Sequence, residues 1–481
     1  MERMKQKYDV VLIYPRENIN AFYYMIPLGL ASIAAVLKDN GISVKALDLN
    51  FYTGDLYYDL KKWNPKLIGI GGTTGTRKGS FKIAFQCKSA LPTIPVAYGG
   101  IHATFTAEDT LKNIPAIDYI IKGEGEFSFL KLFNSISNRS EIQLSEISGI
   151  SYREEETIIH NKAKRIDNID LLPIPARDIF DGKYRIKLDY LGLEADFIMT
   201  SRGCPFSCNF CAASRMFPGG VRYRTMPNIK KELDYILSNK KIKAIKLFDS
   251  TFTASKEHVL AFCELISEYE LFWECEIRVD TVDFDLLKIM RDAGCRYVDI
   301  GFETTNEKIL SSIFKTITVN QVEDVLSWCK ELDIKTKVFF TFGHLGQEYE
   351  NCLEDVNYIK DNKKSINFFA TTVGLRIYPG TQLEIQAKEA GLIPSDFSWA
   401  NYKPNPLRYL LFEFEDQLIL IQKKLGYFEL SKIIWKLIMN GTVGSSNFIL
   451  ELLAINLNKL IKLIPNLIRK PFYKLRRFNN I

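Results

Sequence analysis

The sequence predicts an α/β protein that contains an N-terminal doubly wound parallel sheet, a partial (β/α)₆ barrel and a C-terminal helical region. Apolar runs of strand length alternate with helix-like segments at the start of the chain, and they alternate again after residue 191. Such alternation is typical of parallel sheets covered by helices. Near the end only helix-like segments remain. We therefore expect domains at residues 1–135, 191–400 and 401–481, with a linker at 136–190.

Composition describes an ordinary globular protein. The chain has 481 residues, of which 47% are hydrophobic and 25% are charged. A net charge of +6 is mild for this length, so we expect no nucleic-acid partner. Residues 1–7 are polar and charged, and no apolar run reaches the length of a spanning helix, which together predict a cytoplasmic protein.

In the N-terminal domain, predicted strands end in turns rich in glycine and threonine. The strands are expected at 8–14, 43–49, 67–70, 95–98 and 118–121, and helices at 29–39 and 81–91. Ligands of such sheets bind at the carboxyl ends of the strands. The residues at these turns are Thr73, Thr74, Gly99, Gly100, His102, Gly123 and Glu124.

The linker should contain a hairpin formed by 150–152 and 157–160, and Pro173 and Pro175 mark the crossing into the next domain. The barrel strands are expected at 244–248, 273–279, 297–300, 337–342 and 367–373. Helices are expected at 228–238, 258–270, 286–293 and 322–332. Polar residues at the carboxyl ends of barrel strands face the active-site mouth. Those at or after strand ends are Arg278, Asp280, Glu303, Gly343 and Tyr378.

Three cysteines define the most informative motif. Cys204, Cys208 and Cys211 have the spacing Cys-x₃-Cys-x₂-Cys. Structural zinc needs four ligands, and His160 and His258 are far along the chain. Disulfides fit poorly because three cysteines are an odd number and no secretory signal is present. Three thiolates on a [4Fe–4S] cluster leave one iron open for a substrate or cofactor. We expect the other six cysteines to be buried thiols.

These motifs resemble a known family. The triplet, with Phe210 before its last cysteine, resembles the hallmark of the radical S-adenosylmethionine (radical SAM) family. Segments 277–280 and 301–304 resemble those that contact SAM, 342–346 resembles the adenine-side turn, and 378–381 resembles the closing motif. Segments 99–104 and 118–126 resemble the cobalamin-binding domain of one large subfamily. No Asp-x-His-x-x-Gly occurs, which implies cobalamin without a histidine on cobalt.

The resemblance implies roles for the residues named above. The SAM site would contain Arg278, Asp280, Glu303, Gly343 and Tyr378. The seven turn residues of the N-terminal domain would belong to the cobalamin site. A cluster, SAM and cobalamin together imply an enzyme that generates a 5′-deoxyadenosyl radical, supplied with electrons by a flavodoxin- or ferredoxin-type donor.

The leading hypothesis is C-methylation of an unactivated carbon in a small-molecule or lipid substrate. A carbocycle-forming enzyme of the anaerobic cyclase type is the alternative within the subfamily, and a non-catalytic cobalamin or cluster sensor is the alternative from another class. Methylthiotransferases are disfavoured because they carry three more cluster cysteines near the N-terminus, where only Cys87 stands.

The last segment has amphipathic helical patterns at 433–439, 448–457 and 460–468, and no acidic residue follows Glu451. Its cations are Lys459, Lys462, Arg469, Lys470, Lys474, Arg476 and Arg477. Apolar residues interleaved with cations are typical of a helix that lies on an anionic membrane. A helical cap packed on the barrel is an equal alternative.

Overall fold

The computed structural model describes residues 8–16, 25–182, 184, 186–188, 192–373, 375–394 and 396–401. The predicted helices at 433–439, 448–457 and 460–468 lie outside the described residues. Among the described residues, no helix combines the length and apolar character that crossing a membrane requires.

A seven-stranded sheet forms the N-terminal domain. Its strands are β1 (Val10–Tyr14), β2 (Val44–Asp48), β3 (Leu67–Gly71), β4 (Val96–Gly99), β5 (Tyr119–Ile121), β6 (Ile150–Glu154) and β7 (Thr157–His160), in the order β2-β1-β3-β4-β5-β6-β7. The first five pair in parallel, as predicted. The helices are α1 (Leu28–Asp39), α2 (Leu56–Trp63), α3 (Arg77–Ala90), α4 (Ile101–Phe105), α5 (Ala107–Asn113) and α6 (Glu126–Ile136).

Both faces of the central strands β1, β3, β4 and β5 are largely buried, which explains why these strands are continuously apolar. Along β1, Val10 and Leu12 share a hydrophobic cluster with residues of α1 and α6. Val11 and Ile13 alternate with them and join a second cluster with residues of α2 and α3. This arrangement leaves the carboxyl ends of the parallel strands as the place where turns can bind a ligand.

The predicted hairpin in the connecting segment is confirmed, and it also extends the sheet. Its first strand, β6, pairs antiparallel with β5, and β7 pairs with β6. Glu155 makes the turn at a φ of 51°, in the left-handed region. The division of the chain at residues 135, 190 and 400 stays a prediction.

A second seven-stranded sheet forms the barrel wall, in the order β16-β15-β14-β13-β12-β9-β8. The strands of this part of the chain are β8 (Ile186–Lys187), β9 (Glu194–Ile198), β10 (Ser201–Arg202), β11 (Arg222–Tyr223), β12 (Ala244–Leu247), β13 (Phe272–Ile277), β14 (Cys295–Glu303), β15 (Lys335–Phe342) and β16 (Phe368–Val373). All neighbours in the sheet pair in parallel except β8, and β10 and β11 form a separate hairpin. The predicted partial barrel is confirmed.

The helices of this part cover the barrel from outside. They are α7 (Ala213–Met216), α8 (Met226–Asn239), α9 (Lys256–Ile266), α10 (Phe284–Asp292), α11 (Glu307–Ser312), α12 (Val319–Glu331), α13 (Tyr349–Asp361) and α14 (Gln382–Glu389). Along β13, Trp273, Cys275 and Ile277 pack in the same cluster as the apolar faces of α9, α10 and α12. The alternate residues of each strand therefore point into the barrel.

The remaining cysteines behave as predicted. All six are buried free thiols, namely Cys87, Cys263, Cys275, Cys295, Cys329 and Cys352. Burial raises the pKa of the Cys87 and Cys263 thiols to about 12, so these groups are protonated and unreactive near neutral pH.

Candidate active site

The three cysteines of the triplet lie on one loop, residues 203–212, between β10 and α7; we call it the cluster loop. Cys204 and Cys208 are half-buried and Cys211 is exposed, in contrast to the six buried thiols. Gly203 begins the loop at a φ of 106°, and a Cβ there would lie 2.7 Å from the carbonyl oxygen of Gly220. Only glycine fits this close approach.

Asn209 anchors the cluster loop between its second and third cysteines. The Asn209 amide donates to the carbonyl of Ile313 at 3.0 Å, and its carbonyl accepts from the Leu383 amide at 2.8 Å. The side-chain nitrogen donates to Oε1 of Gln386 at 3.0 Å. Elements on both sides of the barrel mouth thus fix the loop backbone, so the cysteines are held on a rigid support.

Cationic side chains surround the thiols. The guanidinium of Arg278 lies 3.9 Å from the ring centroid of Phe206, and its Nη1 lies 3.9 Å from Sγ of Cys208. Burial raises the pKa of the Cys208 thiol, whereas the charges of Lys315 and Arg278 act to lower it. The pKa of Cys211 is also raised, mainly because the surrounding protein shields the thiol from solvent and also by the charges of Cys208 and Cys204.

Among the described residues, no three His, Cys, Asp or Glu side chains converge tightly enough to hold a single metal ion. A cubane cluster has a different requirement, because each of its thiolates binds a separate iron. The three cysteines on one anchored loop fit a [4Fe–4S] cluster with one open iron.

The predicted SAM residues meet around the cluster loop, and each has a protein contact. Nε of Arg278 donates to Oδ1 of Asp280 at 2.7 Å. Glu303, at a φ of 76°, accepts from Nζ of Lys315 at 3.0 Å and from the Thr341 hydroxyl at 2.7 Å. Burial acts to raise the pKa of Glu303, but the Lys315 charge and the hydrogen bonds from Thr341 and Lys315 together hold it below its ordinary value. Their predicted roles toward SAM stay predictions.

Two other predicted residues follow the last strands of the barrel. The Gly343 amide donates to Oε1 of Gln347 at 2.8 Å, which closes the turn after β15. Tyr378 is partly exposed, and its carbonyl accepts from the Thr381 hydroxyl at 2.7 Å. A Cβ on Gly380 would lie 2.2 Å from the ring of Phe105, so this turn packs directly against the N-terminal domain.

Two groups near the thiols, Lys315 and His344, were not among the predicted site residues, although His344 lies in the predicted adenine-side turn. Lys315 stands in an irregular segment after α11, and nothing in its local pattern predicts burial against Glu303. His344 is 3% exposed, and neither ring nitrogen has a hydrogen-bond partner among the described residues. Its ring lies 5.9 Å from that of Phe210, and burial lowers its pKa to about 4, so the imidazole is neutral.

A cavity of about 360 Å³ opens between the two sheets. Its walls come from the N-terminal turns and from residues just before the cluster loop. Five of the predicted residues line it: Thr73, Gly99, Gly100, Gly123 and Glu124. From the barrel side, the cavity is lined by Met199, Ser201 and Arg202. Thr74 and His102 do not line it. His102 is fully buried behind the turn, where its Nδ1 lies 3.2 Å from the Thr74 hydroxyl.

Glycines allow close approach at the cavity floor. Gly100 has a φ of 107°, and a Cβ there would lie 2.3 Å from the Gly72 carbonyl oxygen. A Cβ on Gly72 would itself lie 2.6 Å from the Ser80 hydroxyl. Glycine is therefore favoured at both positions by the close packing of two adjacent turns, and both glycines line the cavity.

Four charged side chains join the cavity wall to the strand that leads into the cluster loop; we call them the interdomain clamp. Glu124 accepts from Arg202 at 2.7 Å through Oε1 and from Arg222 at 2.6 Å through Oε2. Glu126 accepts from the second terminal nitrogen of Arg202 at 2.6 Å. All four side chains are at most 15% exposed. Arg202 stands two residues before Cys204.

The comparisons with known proteins agree with this architecture. Residues 198–359 match the radical SAM superfamily model, and residues 18–132 match the B12 binding domain model. An uncharacterised methyltransferase of Pyrococcus horikoshii is 31% identical over 385 residues, which are 78% of this chain and 81% of the relative. This chain belongs to the cobalamin-binding radical SAM enzymes.

Two further similarities extend this assignment. An anaerobic magnesium-protoporphyrin IX monomethyl ester cyclase of Synechocystis is 30% identical over 299 residues, which are 60% of this chain and 59% of the cyclase. The structure of the radical SAM methyltransferase TsrM from Kitasatospora setae, with cobalamin and a [4Fe–4S] cluster bound, superposes with a TM-score of 0.66. That match covers 79% of this chain and 74% of TsrM at 20% identity, and it shows the shared fold.

The cofactors of this radical SAM enzyme are a [4Fe–4S] cluster, SAM and cobalamin. The residues present fit these groups, since the cluster loop offers three free thiols outside the buried core and the glycine-floored cavity is lined mainly by apolar atoms. No histidine lines the cavity among the described residues, which fits the expected cobalamin without a protein histidine on cobalt.

Replacement of Cys204, Cys208 or Cys211 by Ala should abolish the broad visible absorbance of the reconstituted cluster and most of its iron, because two thiolates cannot hold it. Iron analysis and absorbance spectra measure this outcome. Cys329→Ala, at a buried core thiol, is the control and should keep full iron content. A triplet variant with full iron content would contradict the ligand assignment.

Arg202→Met should lower cobalamin affinity and cost about 3–5 kcal/mol of stability, since it leaves the buried carboxylate of Glu126 without its cation and that of Glu124 with Arg222 alone. Chemical denaturation and cobalamin retention in gel filtration measure the two effects. Arg153→Met is the matched control, because this part-buried guanidinium donates to backbone carbonyls such as those of Leu111 and Ile117. It should lose stability and retain cobalamin. Unchanged retention in Arg202→Met would contradict the coupling of clamp and cavity.

The buried carboxylate of Asp249 predicts that the stability of the protein depends on pH. Its carboxylate accepts from the amides and hydroxyls of Thr200 and Ser201, and Thr200 Oγ1 lies 2.8 Å from Nε2 of His258. Burial raises the pKa of Asp249 to about 6, even though these hydrogen bonds act to lower it. The folded state therefore binds a proton that the unfolded state loses near pH 4, and stability should fall as pH rises from about 4 to 6.

The expected loss is on the order of 3 kcal/mol, and Asp249→Asn should flatten this pH dependence. Asparagine suits the site because its amide can donate to the Thr200 hydroxyl, which then donates to His258. Denaturation at several pH values, with Asp283→Asn as the exposed-carboxylate control, measures the effect. Parallel pH profiles for wild type and Asp249→Asn would show that Asp249 is not the titrating group.

Proposed function

We propose that this protein is a cobalamin-dependent radical SAM C-methyltransferase that acts on an unactivated carbon of a small molecule. The observation that carries the proposal is that one cavity is shared by the cobalamin turns and by Met199, Ser201 and Arg202, which directly precede the cluster loop. When bound, the cofactors supply a carbon-centred radical and a transferable methyl group. The protein must hold them beside one another and exclude water.

The chain's own residues are suited to these tasks. The interdomain clamp holds the cavity wall against the strand that leads to Cys204, so the two cofactor sites have a fixed relation. Arg278 covers Phe206 and reaches Cys208, so it positions the cluster loop and adds positive charge beside it. The Gly380 turn packs on Phe105 and closes one side of the mouth between the domains.

Similarity to the Pyrococcus horikoshii relative, which is named a methyltransferase, supports methyl transfer over the alternatives. The Synechocystis cyclase favours a second candidate, formation of a carbocycle. The sensor hypothesis has no comparable support. An external electron donor of the flavodoxin or ferredoxin type belongs to the proposal, whereas a lipid substrate and membrane contact depend on residues outside the described part of the chain.

Anaerobic protein loaded with cluster and cobalamin should release 5′-deoxyadenosine from SAM when a reductant is added, and Cys208→Ala should not. A deletion strain and its parent, both fed methionine labelled in the methyl group, then separate the candidates. Methylation predicts a metabolite that carries the label only in the parent. A parent-specific product without labelled methyl would favour the cyclase candidate, and no 5′-deoxyadenosine would contradict both.

A further inference from the structure

Glu276 lies on the inner face of the barrel, beside the cluster loop. Along β13, Trp273, Cys275 and Ile277 pack outward, so Glu274, Glu276 and Arg278 alternate with them and point inward. Arg278 is the residue whose guanidinium reaches Sγ of Cys208. Two residues of strand span about 7 Å, so Glu276 lies one layer deeper in the barrel than the contact with the cluster loop.

Strand register identifies the neighbours of Glu276. It stands opposite Asp299 on β14, and Asp299 stands opposite Lys337 on β15. In the layer below, Lys246 lies 2.6 Å from Glu274 and 3.6 Å from Asp299, so its charge is shared by these two carboxylates. Glu276 itself forms no salt bridge or hydrogen bond with another side chain in the described part of the chain.

The side chain of Glu276 is exposed, although its strand forms the barrel wall. Its carboxylate therefore faces open space inside the barrel. Although solvent reaches the side chain, the barrel atoms around the carboxylate shield it enough to raise its pKa to about 7. The charges of Asp299 and Asp249 add to this effect, and those of Lys246 and Lys337 oppose it. A carboxylate in such a place is stabilised by a donor that brings positive charge.

Neither lysine of this part of the barrel forms a salt bridge with Glu276 among the described residues. Lys246 is held by Glu274 and Asp299, and the Lys337 ammonium lies 5.2 Å from the ring centroid of Phe339. The layer thus contains an inward-facing carboxylate next to a second one, with no cation closer than 4 Å to Glu276 among the described residues. A ligand with a protonated amine would place a positive charge beside the Glu276 carboxylate, whereas a neutral lipid tail would not.

We propose that Glu276 binds the substrate through a protonated amine and so selects for amine-bearing small molecules. This inference rests on the proposed function, because it takes the barrel interior below the cluster as the substrate site. Glu276 acts here as a binding residue, and the cofactor sites do not include it. Glu276→Gln keeps the shape of the side chain and removes its charge.

The first experiment uses protein loaded with cluster and cobalamin, in wild-type, Glu276→Gln and Glu264→Gln forms. Glu264 is exposed on the outer helix α9 and serves as the matched control. SAM affinity and 5′-deoxyadenosine release without substrate should agree within about twofold in all three. A tenfold loss of SAM affinity in Glu276→Gln alone would assign Glu276 to SAM and overturn the inference.

Two matched probes test the ligand class. Phenethylammonium and 2-phenylethanol differ in charge and have similar size, and their binding can be compared by saturation-transfer NMR at pH 8. Wild type and Glu264→Gln should prefer the amine at least tenfold, and Glu276→Gln should lose that preference. Equal preference in Glu276→Gln and wild type, or no preference in wild type, would overturn the inference.

The cellular experiment complements the deletion strain with each form and follows the methyl-labelled metabolite. Glu264→Gln should restore it, whereas Glu276→Gln should reduce it at least tenfold despite normal SAM cleavage by the purified variant. Full restoration by Glu276→Gln would overturn this inference alone. Absence of SAM cleavage in wild type would instead contradict the proposed function, so the two failures are distinguishable.

Discussion

The interdomain clamp is the contact on which the relation between the two cofactor sites depends. Glu124 and Glu126 belong to the turn after β5 and the start of α6, and Arg202 and Arg222 belong to the hairpin that enters and leaves the cluster-loop region. Charges buried in this way are costly unless each is paired with good geometry. Any relative movement of the domains would break several such pairs at once, so the clamp selects one arrangement.

The clamp also shows that a residue can line a cofactor cavity without being available to the cofactor. Glu124 lines the cavity, as the resemblance implies, yet both carboxylate oxygens accept from arginines, and Oε2 also accepts from the Ile166 amide at 2.8 Å. Arg278 and Glu303, which are predicted to belong to the SAM site, show the same behaviour. Their pairing with Asp280 and Lys315 keeps them in place and places positive charge near the thiolates.

The sequence predicted the parts of the fold that depend on local pattern. Apolar strands and the turns after them follow from short-range periodicity, and the cysteine triplet follows from its spacing. Contacts between side chains that are far apart in the sequence could not be predicted. Arg202 and Glu124 are 78 residues apart, and neither has a local pattern that names the other. Lys315 was missed because only the fold brings it against Glu303. His102 stands beside the glycines of a cofactor turn, yet its ring packs behind that turn against Trp399.

The two sheets offer different environments to their ligands, and this difference bears on specificity. The cavity of the N-terminal domain is lined mainly by apolar atoms and glycine backbone, which suits a large cofactor held by surface contact. The barrel interior instead presents charged side chains on successive strands, at Lys246, Glu274 and Asp299. A permanently bound cofactor can be held by a cavity of complementary shape. Discrimination among substrates instead needs polar groups that are left unpaired when the wrong substrate binds. Under the proposed function, the charged barrel wall is therefore better suited than the apolar cavity to discriminate among substrates.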